Sequence, residues 1–555
     1  MIFCTLKKSY PVIIAGGGIN GVGIARDCAL RGIECLLIEK DDFAAGTSGY
    51  SSGMIHGGPR YMLSDRDITK LSCVDSGYIQ RAAPHLLFRI PFLYTVFKTK
   101  DRSGLKSTLL LEGIETFFTA YDKFAPFKGG KKHTRLSPQE ISVLEPGIPQ
   151  KNLVGGVSFD EWGVDVPRLC MANVICAKEH GATVLNHTKI TKVIKEAEQV
   201  KGVEVVDTLT GDKATILCTL LVNATGPWSP NFGTMAGVPI KLRGGKGIHI
   251  SFDRRLFNIA VVSQTIDGRE IFIFPHENES ILGTTDDDYF GDLDQQSCTH
   301  DELEYLLEGI EQIFPAVRKA RMIRAWSGVR PTLYKRNCYE DDLSREHETI
   351  DHQKRDGVSG LVSIVGGKLA SYRIISAEVA DLIACKLAID RPSTTHQVPL
   401  PGGDEIPDVK TLADEYNINA YIVSRLVYRH GSRARLILND IKASPELGGL
   451  ICRCEPVTEA EIRYCLQNEG ARTLSDIRRR TRLSMGPCQG TNCLLPGHAI
   501  LSEIIDDSKN NAGGTLKDFM REWWFNRACV LSGDQLKQEE LYQGTLFCNN
   551  SLNRS

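Results

Sequence analysis

Residues 11–40 read PVIIAGGGINGVGIARDCALRGIECLLIEK. Val12-Ile13-Ile14-Ala15 is an apolar, β-branched run of the kind that forms a buried strand. Gly16-x-Gly18-x-x-Gly21 follows at once and opens a stretch whose Ile24, Ala25, Cys28 and Ala29 share one helical face, with Gly32 at its end. Cys35 to Ile38 form a second strand run, which delivers Glu39 at its tip. Each glycine answers a separate need: Gly16 makes the tight turn, Gly18 lets the backbone approach a pyrophosphate, and Gly21 lets helix and strand pack closely. The pyrophosphate then meets a helix N-terminus, where free N–H groups and the dipole favour negative charge. Glu39 can accept hydrogen bonds from both ribose hydroxyls and would repel a 2′-phosphate, which disfavours NADP. The pattern predicts a dinucleotide-binding βαβ unit, and by itself it does not separate FAD from NAD.

Working outward, a chain of 555 residues is too long for one core and predicts several domains. With 42% hydrophobic and 24% charged residues it has ordinary globular composition, and a net charge of −2 gives no case for nucleic-acid binding. No run approaches the roughly 18 uninterrupted apolar residues of a membrane span. The first residues, MIFCTLKKSYPVIIAGGG, lead into a glycine turn and not into a cleavage site. The expectation is a cytoplasmic protein that reaches a membrane only through partners. Residues 1–397 alternate strand-like and helix-like segments. The Pro/Gly-rich VPLPGGDEIPD (398–408) reads as a linker, leading into a helical segment to 447. Residues 448–500 carry clustered cysteines, and 501–555 read as a mixed, polar tail. Of 17 cysteines, the scattered ones (Cys28, Cys35, Cys176, Cys218, Cys385) read as small core residues of a reducing compartment.

Later segments bear on the cofactor. Thr47, Ser48, Ser52 and Gly53 are small donors close behind the acid. Gly226 ends a strand in LVNATG, and Gly366-Gly367 end another before a predicted helix start. A helix N-terminus there suits the ring edge of a flavin that gains negative charge on reduction. Cationic and hydrogen-bonding residues recur beside these turns: His56, Arg60 and Tyr61, then His249, Arg330, Arg345 and Lys368. A dianionic phosphate needs several fixed donors, and the planar fork of arginine supplies them in pairs.

GTSGYSSGMIHGGPRY (46–61), NATGPW (223–228), GTTD (283–286), SGVRP (327–331) and GGKLASYR (366–373), together with the glycine fingerprint, resemble the FAD-dependent glycerol-3-phosphate dehydrogenase family of D-amino-acid-oxidase-like flavoproteins. The resemblance implies an α/β fold: a Rossmann-like FAD-binding domain interleaved with an antiparallel-sheet substrate domain. It implies that sn-glycerol 3-phosphate is oxidised to dihydroxyacetone phosphate by hydride transfer to the flavin. It places Arg330 and Arg345 on phosphate and substrate oxygens, and His56, Arg60, His249 and Lys368 in the active site. One histidine would take the hydroxyl proton, His56 being favoured over His249. The lysine the family often has before the IHGG turn is absent, Gly53-Met54 standing there.

Cys452-x-Cys454 and, further on, Cys488-x4-Cys493 offer four thiolates, enough for a [2Fe–2S] cluster or for a tetrahedral zinc. ICRCEPVTEAEI and RRRTRLSMGPCQGTNC resemble the bacterioferritin-associated-ferredoxin-type [2Fe–2S] domain, which implies iron and a small helical C-terminal domain. A flavin upstream that must unload electrons points the same way. With VYRHGSRARLIL, FMREWW and LYQG, the likeness extends to the catalytic chains of the anaerobic, multisubunit branch. It implies a second flavoprotein subunit plus a membrane-anchoring iron–sulfur subunit, with menaquinone as eventual acceptor. Two other readings stay open: a related flavin dehydrogenase of a 2-hydroxy acid or opine, and an electron-transfer module without a substrate of its own. The Arg478-Arg479-Arg480 run is expected to balance the cluster, face a partner, or lie on a solvated helix face.

Overall fold

The computed structural model describes residues 2–59, 62, 66–99, 103–338, 346–505 and 512–549. β1 (Ser9–Ala15), α1 (Ile19–Leu30) and β2 (Cys35–Ile38) form the predicted unit, with Val12 opposite Cys35 and Ala15 opposite Ile38 in parallel register. All four residues of β2 are buried, as parallel strands covered on both faces must be. The sheet runs in the order His347–Asp351, Leu361–Gly366, Lys213–Asn223, β1, β2, Thr183–Leu185, and a hairpin (Thr188–Glu196, Gln199–Asp207) extends it from Lys213–Asn223. α1 and Val166–Glu179 pack on one face, and Tyr372–Lys386 joins them through Tyr372, Ile375, Val379 and Ile383. Chain from opposite ends of the first 400 residues therefore meets in one sheet. The glycine pair Gly366-Gly367 is thereby brought level with the first glycine turn.

The second sheet is nearly all antiparallel. Leu242–Phe252 pairs with Met322–Leu333 along its whole length, His249 facing Trp326 and Gly245 facing Arg330. At the other side Leu87–Phe97 pairs with Leu153–Val164. Helix His300–Glu311 covers this sheet with Leu303, Leu306, Leu307 and Ile310. Chain passes between the two sheets several times, so the interleaving implied by the sequence is present.

Beyond residue 400, helices Val409–Tyr416, Ala420–His430 and Ala434–Ala443 share a core that also takes Ala460 and Tyr464 from helix Glu459–Asn468. The cysteine-bearing region adds Leu474–Thr481 and Leu494–Ile504. The stretch read as a tail carries two helices, Ala512–Phe525 and Gly533–Asn549. Leu516, Phe519, Met520 and Trp523 seal the cysteine-region core, while Val530 enters the core of the second sheet. Cys28, Cys35, Cys176 and Cys218 are buried as expected, but Cys385, at the end of Tyr372–Lys386, is exposed. Among the described residues no helix is long and apolar enough to cross a membrane.

Candidate functional site

A cavity of about 1930 Å³ runs from the first glycine turn between the two sheets. It exceeds the roughly 300–1,000 Å³ of sites for drug-sized ligands, and has room for a dinucleotide with a small substrate beside it. Gly16, Gly18, Glu39, Thr47, Ser48, Ser52, Gly226, Gly366 and Gly367 all line it. Gly16 has φ +106°, and a Cβ there would stand 2.5 Å from the Ala224 carbonyl oxygen. At Gly21, which lies behind the wall, a Cβ would meet the Gly16 oxygen at 1.8 Å; this is the close helix–strand approach expected of it. Gly53 (φ +69°) also stands behind the wall, its carbonyl accepting from Val164 N–H.

Glu39 holds the turn together before any ligand does. Its carboxylate accepts Gly17 N–H at 2.5 Å and Asp41 N–H at 2.9 Å. Burial, reinforced by neighbouring Asp41, pushes the carboxyl up to about 7. Ser48 Oγ accepts the Ile19 N–H at 2.9 Å and so caps α1, leaving its own proton to donate. Thr47 donates to the Val329 carbonyl at 2.7 Å, tying the turn to the second sheet. Glycines that leave the wall open, a capped helix start and an acid at the second strand tip form a cradle that fits FAD.

The same cavity is lined by His56, Lys368 and Arg330. Arg330 is fixed by the Asp286 carboxylate at 2.8 Å, the Thr285 carbonyl at 3.1 Å and Thr284 Oγ1 at 3.2 Å, and Gly247 makes room for its guanidinium. Arg60, Tyr61 and Arg345 lie outside the described residues. His249 is 3% exposed and sits behind the cavity lining, its ring stacked on Trp326 at 5.3 Å. Neither of its ring nitrogens has a hydrogen-bond partner among the described residues. Burial and the nearby Arg330 charge lower it to about 3, so it is held neutral. The cavity also takes Arg269, from the turn before strand Glu270–His276, and Glu161 from Leu153–Val164. Sequence reading missed both; an arginine in an Asp-Gly-Arg turn and an acid within a strand give no local signal of a site.

The four clustered cysteines converge. The Cys452 thiol lies beside Cys493, and that of Cys454 beside Cys488, each close enough to shift the other. The neighbouring Cys493 thiol draws Cys452 down to about 6 while Cys493 itself rises. Burial raises Cys454 to about 11. Cys452 and Cys493 are buried and Cys454 and Cys488 half-buried. Cys465 is a core residue, as expected. Among the described residues the only trio of metal-type ligands within 4.8 Å of one another is Asp42, His187 and Asp476. Four thiols grouped in this way are a ligand set for a [2Fe–2S] cluster or for a tetrahedral zinc.

The arginine run is paired across a packed seam and does not lie on a solvated helix face. Arg480, 2% exposed, meets the Asp42 carboxylate with two nitrogens at 2.6 and 2.9 Å. Arg479 reaches Asp42 at 2.9 Å and Asp476 at 3.0 Å, and Arg478 pairs with Glu522. His187 bonds Asp476 at 2.9 Å across the same seam. The run locks the cysteine-bearing region onto the loop three residues beyond Glu39.

Residues 11–373 match the family described as FAD dependent oxidoreductase. The chain belongs to that family. A second match, described as the C-terminal domain of alpha-glycerophosphate oxidase, covers residues 393–503 of this FAD-dependent oxidoreductase. It is 33% identical over 553 residues, 97% of either chain, to the A chain of the anaerobic glycerol-3-phosphate dehydrogenase of Escherichia coli. It is also 33% identical to the A1 chain of the anaerobic glycerol-3-phosphate dehydrogenase of Haloferax volcanii, over 97% of this chain and 90% of that one. Among solved structures, the glycerol-3-phosphate dehydrogenase of Bacillus halodurans complexed with FAD superposes with a TM-score of 0.72, over 95% of this chain and 97% of that one, at 24% identity. That likeness bears on the fold, an α/β flavoprotein frame with a helical C-terminal part.

Proposed function

We propose that this oxidoreductase converts sn-glycerol 3-phosphate to dihydroxyacetone phosphate and passes the electrons through a [2Fe–2S] cluster to a quinone-linked chain. The observation that carries the substrate is that Arg330, Lys368 and His56 line the one cavity that the glycine turns open. Arg330, braced by Asp286, offers a fixed fork to the phosphate, and Lys368 adds a point charge. Arg60, Tyr61 and Arg345 are proposed to complete the anion site. When bound, FAD supplies the hydride acceptor. The protein's own part is to hold C2 of the substrate toward the cofactor and to remove the hydroxyl proton. His56 is proposed for that task, because it opens on the cavity, whereas His249 stands behind the wall with its cationic form opposed by burial and by Arg330. His249 then serves as neutral packing between Trp326 and Gly283.

Cys452, Cys454, Cys488 and Cys493 are proposed as the cluster ligands, with the half-buried Cys454/Cys488 pair on the exit side. A flavin that must unload electrons favours the cluster over a zinc on the same four thiolates. The proposed partners are a second flavoprotein and a membrane-anchoring iron–sulfur protein, with menaquinone as final acceptor. They would place the protein at the cytoplasmic face of a membrane. The test is anaerobic titration of the FAD-loaded chain: glycerol 3-phosphate should bleach the flavin band at about 450 nm, and 2-hydroxy acids and opines should not. Bleaching by a hydroxy acid alone would transfer the assignment to a carboxylate substrate.

A further inference from the structure

Residues 53–58, which carry His56, lie along strand Leu153–Val164 as an added edge. Val164 N–H donates to the Gly53 carbonyl at 2.8 Å and Ile55 N–H to the Trp162 carbonyl at 2.9 Å. At the next odd residue the backbone pairing stops, and a side chain continues it: Gly57 N–H donates to Glu161 Oε2 at 3.1 Å. The other carboxylate oxygen of Glu161 accepts Tyr121 O–H at 2.7 Å and Lys128 Nζ at 2.7 Å. Lys128 Nζ also bonds the Asp160 carbonyl at 2.6 Å and Tyr121 Oη at 3.2 Å, so its three protons are all placed. Glu161 and Lys128 are each 2% exposed. The fit admits no side chain at residue 57, where a Cβ would stand 2.3 Å from both Tyr121 Oη and Cys73 Sγ.

A buried ion pair is a weak source of stability, and an apolar pair of the same size serves as well or better. Its value here is directional. A charge held by two donors on one oxygen presents the other oxygen at a fixed point, and that point holds the backbone next to His56. We propose that Glu161 is a positioning residue for the oxidation, holding the His56 segment in register while Lys128 and Tyr121 hold Glu161. This rests on the reading of His56 as the base and adds to it the group that aims the imidazole.

The experiment is anaerobic stopped-flow reduction of the FAD-loaded full chain by glycerol 3-phosphate, giving a limiting rate and a substrate Kd for wild type, His56→Asn, Glu161→Gln and Tyr121→Phe. Glu161→Gln should lose roughly 10- to 100-fold in limiting rate, the scale of a mispositioned catalytic group, while Kd stays within about twofold and FAD content is unchanged. Tyr121→Phe, which removes one bond to the carboxylate, should fall between wild type and Glu161→Gln. If His56→Asn is inactive but Glu161→Gln reduces at the wild-type rate, the positioning role is wrong and the base assignment survives. If His56→Asn keeps its rate, the base assignment falls and the proposal with it. Should Glu161→Gln fail to fold or to hold FAD, Tyr121→Phe decides: a wild-type limiting rate there overturns the proposal.

Discussion

Asp42 is fully buried and is the carboxylate partner of Arg480, so Asp42→Asn tests what holds the cysteine-bearing region against the dinucleotide unit. In the native chain the carboxylate takes two bonds from Arg480, one from Arg479 and one from Asn186 Nδ2 at 3.0 Å, four donors on two oxygens. Asparagine turns one of those acceptors into a donor that faces other donors. Arg479 keeps Asp476 at 3.0 Å, but Arg480 is left with the Glu469 and Asp476 carbonyls and loses the carboxylate that it meets directly. Leaving one member of a buried pair uncompensated costs about 3–5 kcal/mol. For a cooperative unit of about 150–250 residues each kcal/mol is worth about 2–4 °C, so the first transition should fall by roughly 6–20 °C. Differential scanning calorimetry of the FAD-loaded protein measures it, and limited proteolysis in the 398–408 segment should accelerate in parallel. Asp42→Leu with Arg480→Met removes both charges, and most of the lost stability should return. A melting point within about 1 °C of wild type for Asp42→Asn, or a double variant less stable than the single, would refute the reasoning.

Other outcomes follow from the same geometry. Arg330→Ala removes charge-assisted bonds of about 1.5–3 kcal/mol each and should raise KM for glycerol 3-phosphate roughly 10- to 100-fold with FAD retained; an unchanged KM would remove the phosphate from this cavity. Gly21→Ala drives a methyl into the Gly16 carbonyl, and the purified protein should lack the flavin absorbance that wild type carries. Cys488→Ser, purified anaerobically, should lose iron and sulfide while FAD stays bound; one zinc per wild-type chain would end the proposal that electrons leave through a [2Fe–2S] cluster. His187 is lifted above its ordinary 6.5 by Asp476 despite the opposing burial, so its contribution is complete below pH 6.5 and is lost as pH rises through its folded value. Wild type should therefore lose stability above pH 6.5 relative to His187→Gln, and parallel melting curves across that range would count against it.

What the sequence made legible is what neighbouring residues decide among themselves. The strand, glycine turn, helix, strand and Glu39 need only a thirty-residue window, because each glycine answers a contact inside it. The cysteine pairs were visible as spacing, although spacing alone could not tell a cluster of two irons from one zinc. The C-terminal helices could have been found: Leu516, Phe519, Met520 and Trp523 recur at the interval of one helical face. They were hidden by the polar residues that surround them.

The arginine run was misread for another reason, charge whose partner lies far along the chain. Arg480 sits 438 residues from Asp42, and Arg168 meets Glu469 across 301. A lone arginine is rightly read as solvated, since burying it unpaired costs more than most domains possess in net stability. That rule is about pairs, and a sequence displays charges without displaying pairs. The helix holding the arginine run did carry a clue: Leu474, Ile477 and Thr481 are buried on one side, yet Arg480 and Asp476 are buried too, so nearly the whole circumference is enclosed. A short helix enclosed all round must bring counter-charges with it or find them elsewhere. Here Asp476 comes with the helix and Asp42 waits beside the cofactor acid. The same reasoning separates Lys128 from the surface lysines around it: its partner Glu161 lies 33 residues away on a cavity strand. A buried charge is therefore a statement about two places in the chain, and here the second place is beside the cofactor acid in one case and beside His56 in the other.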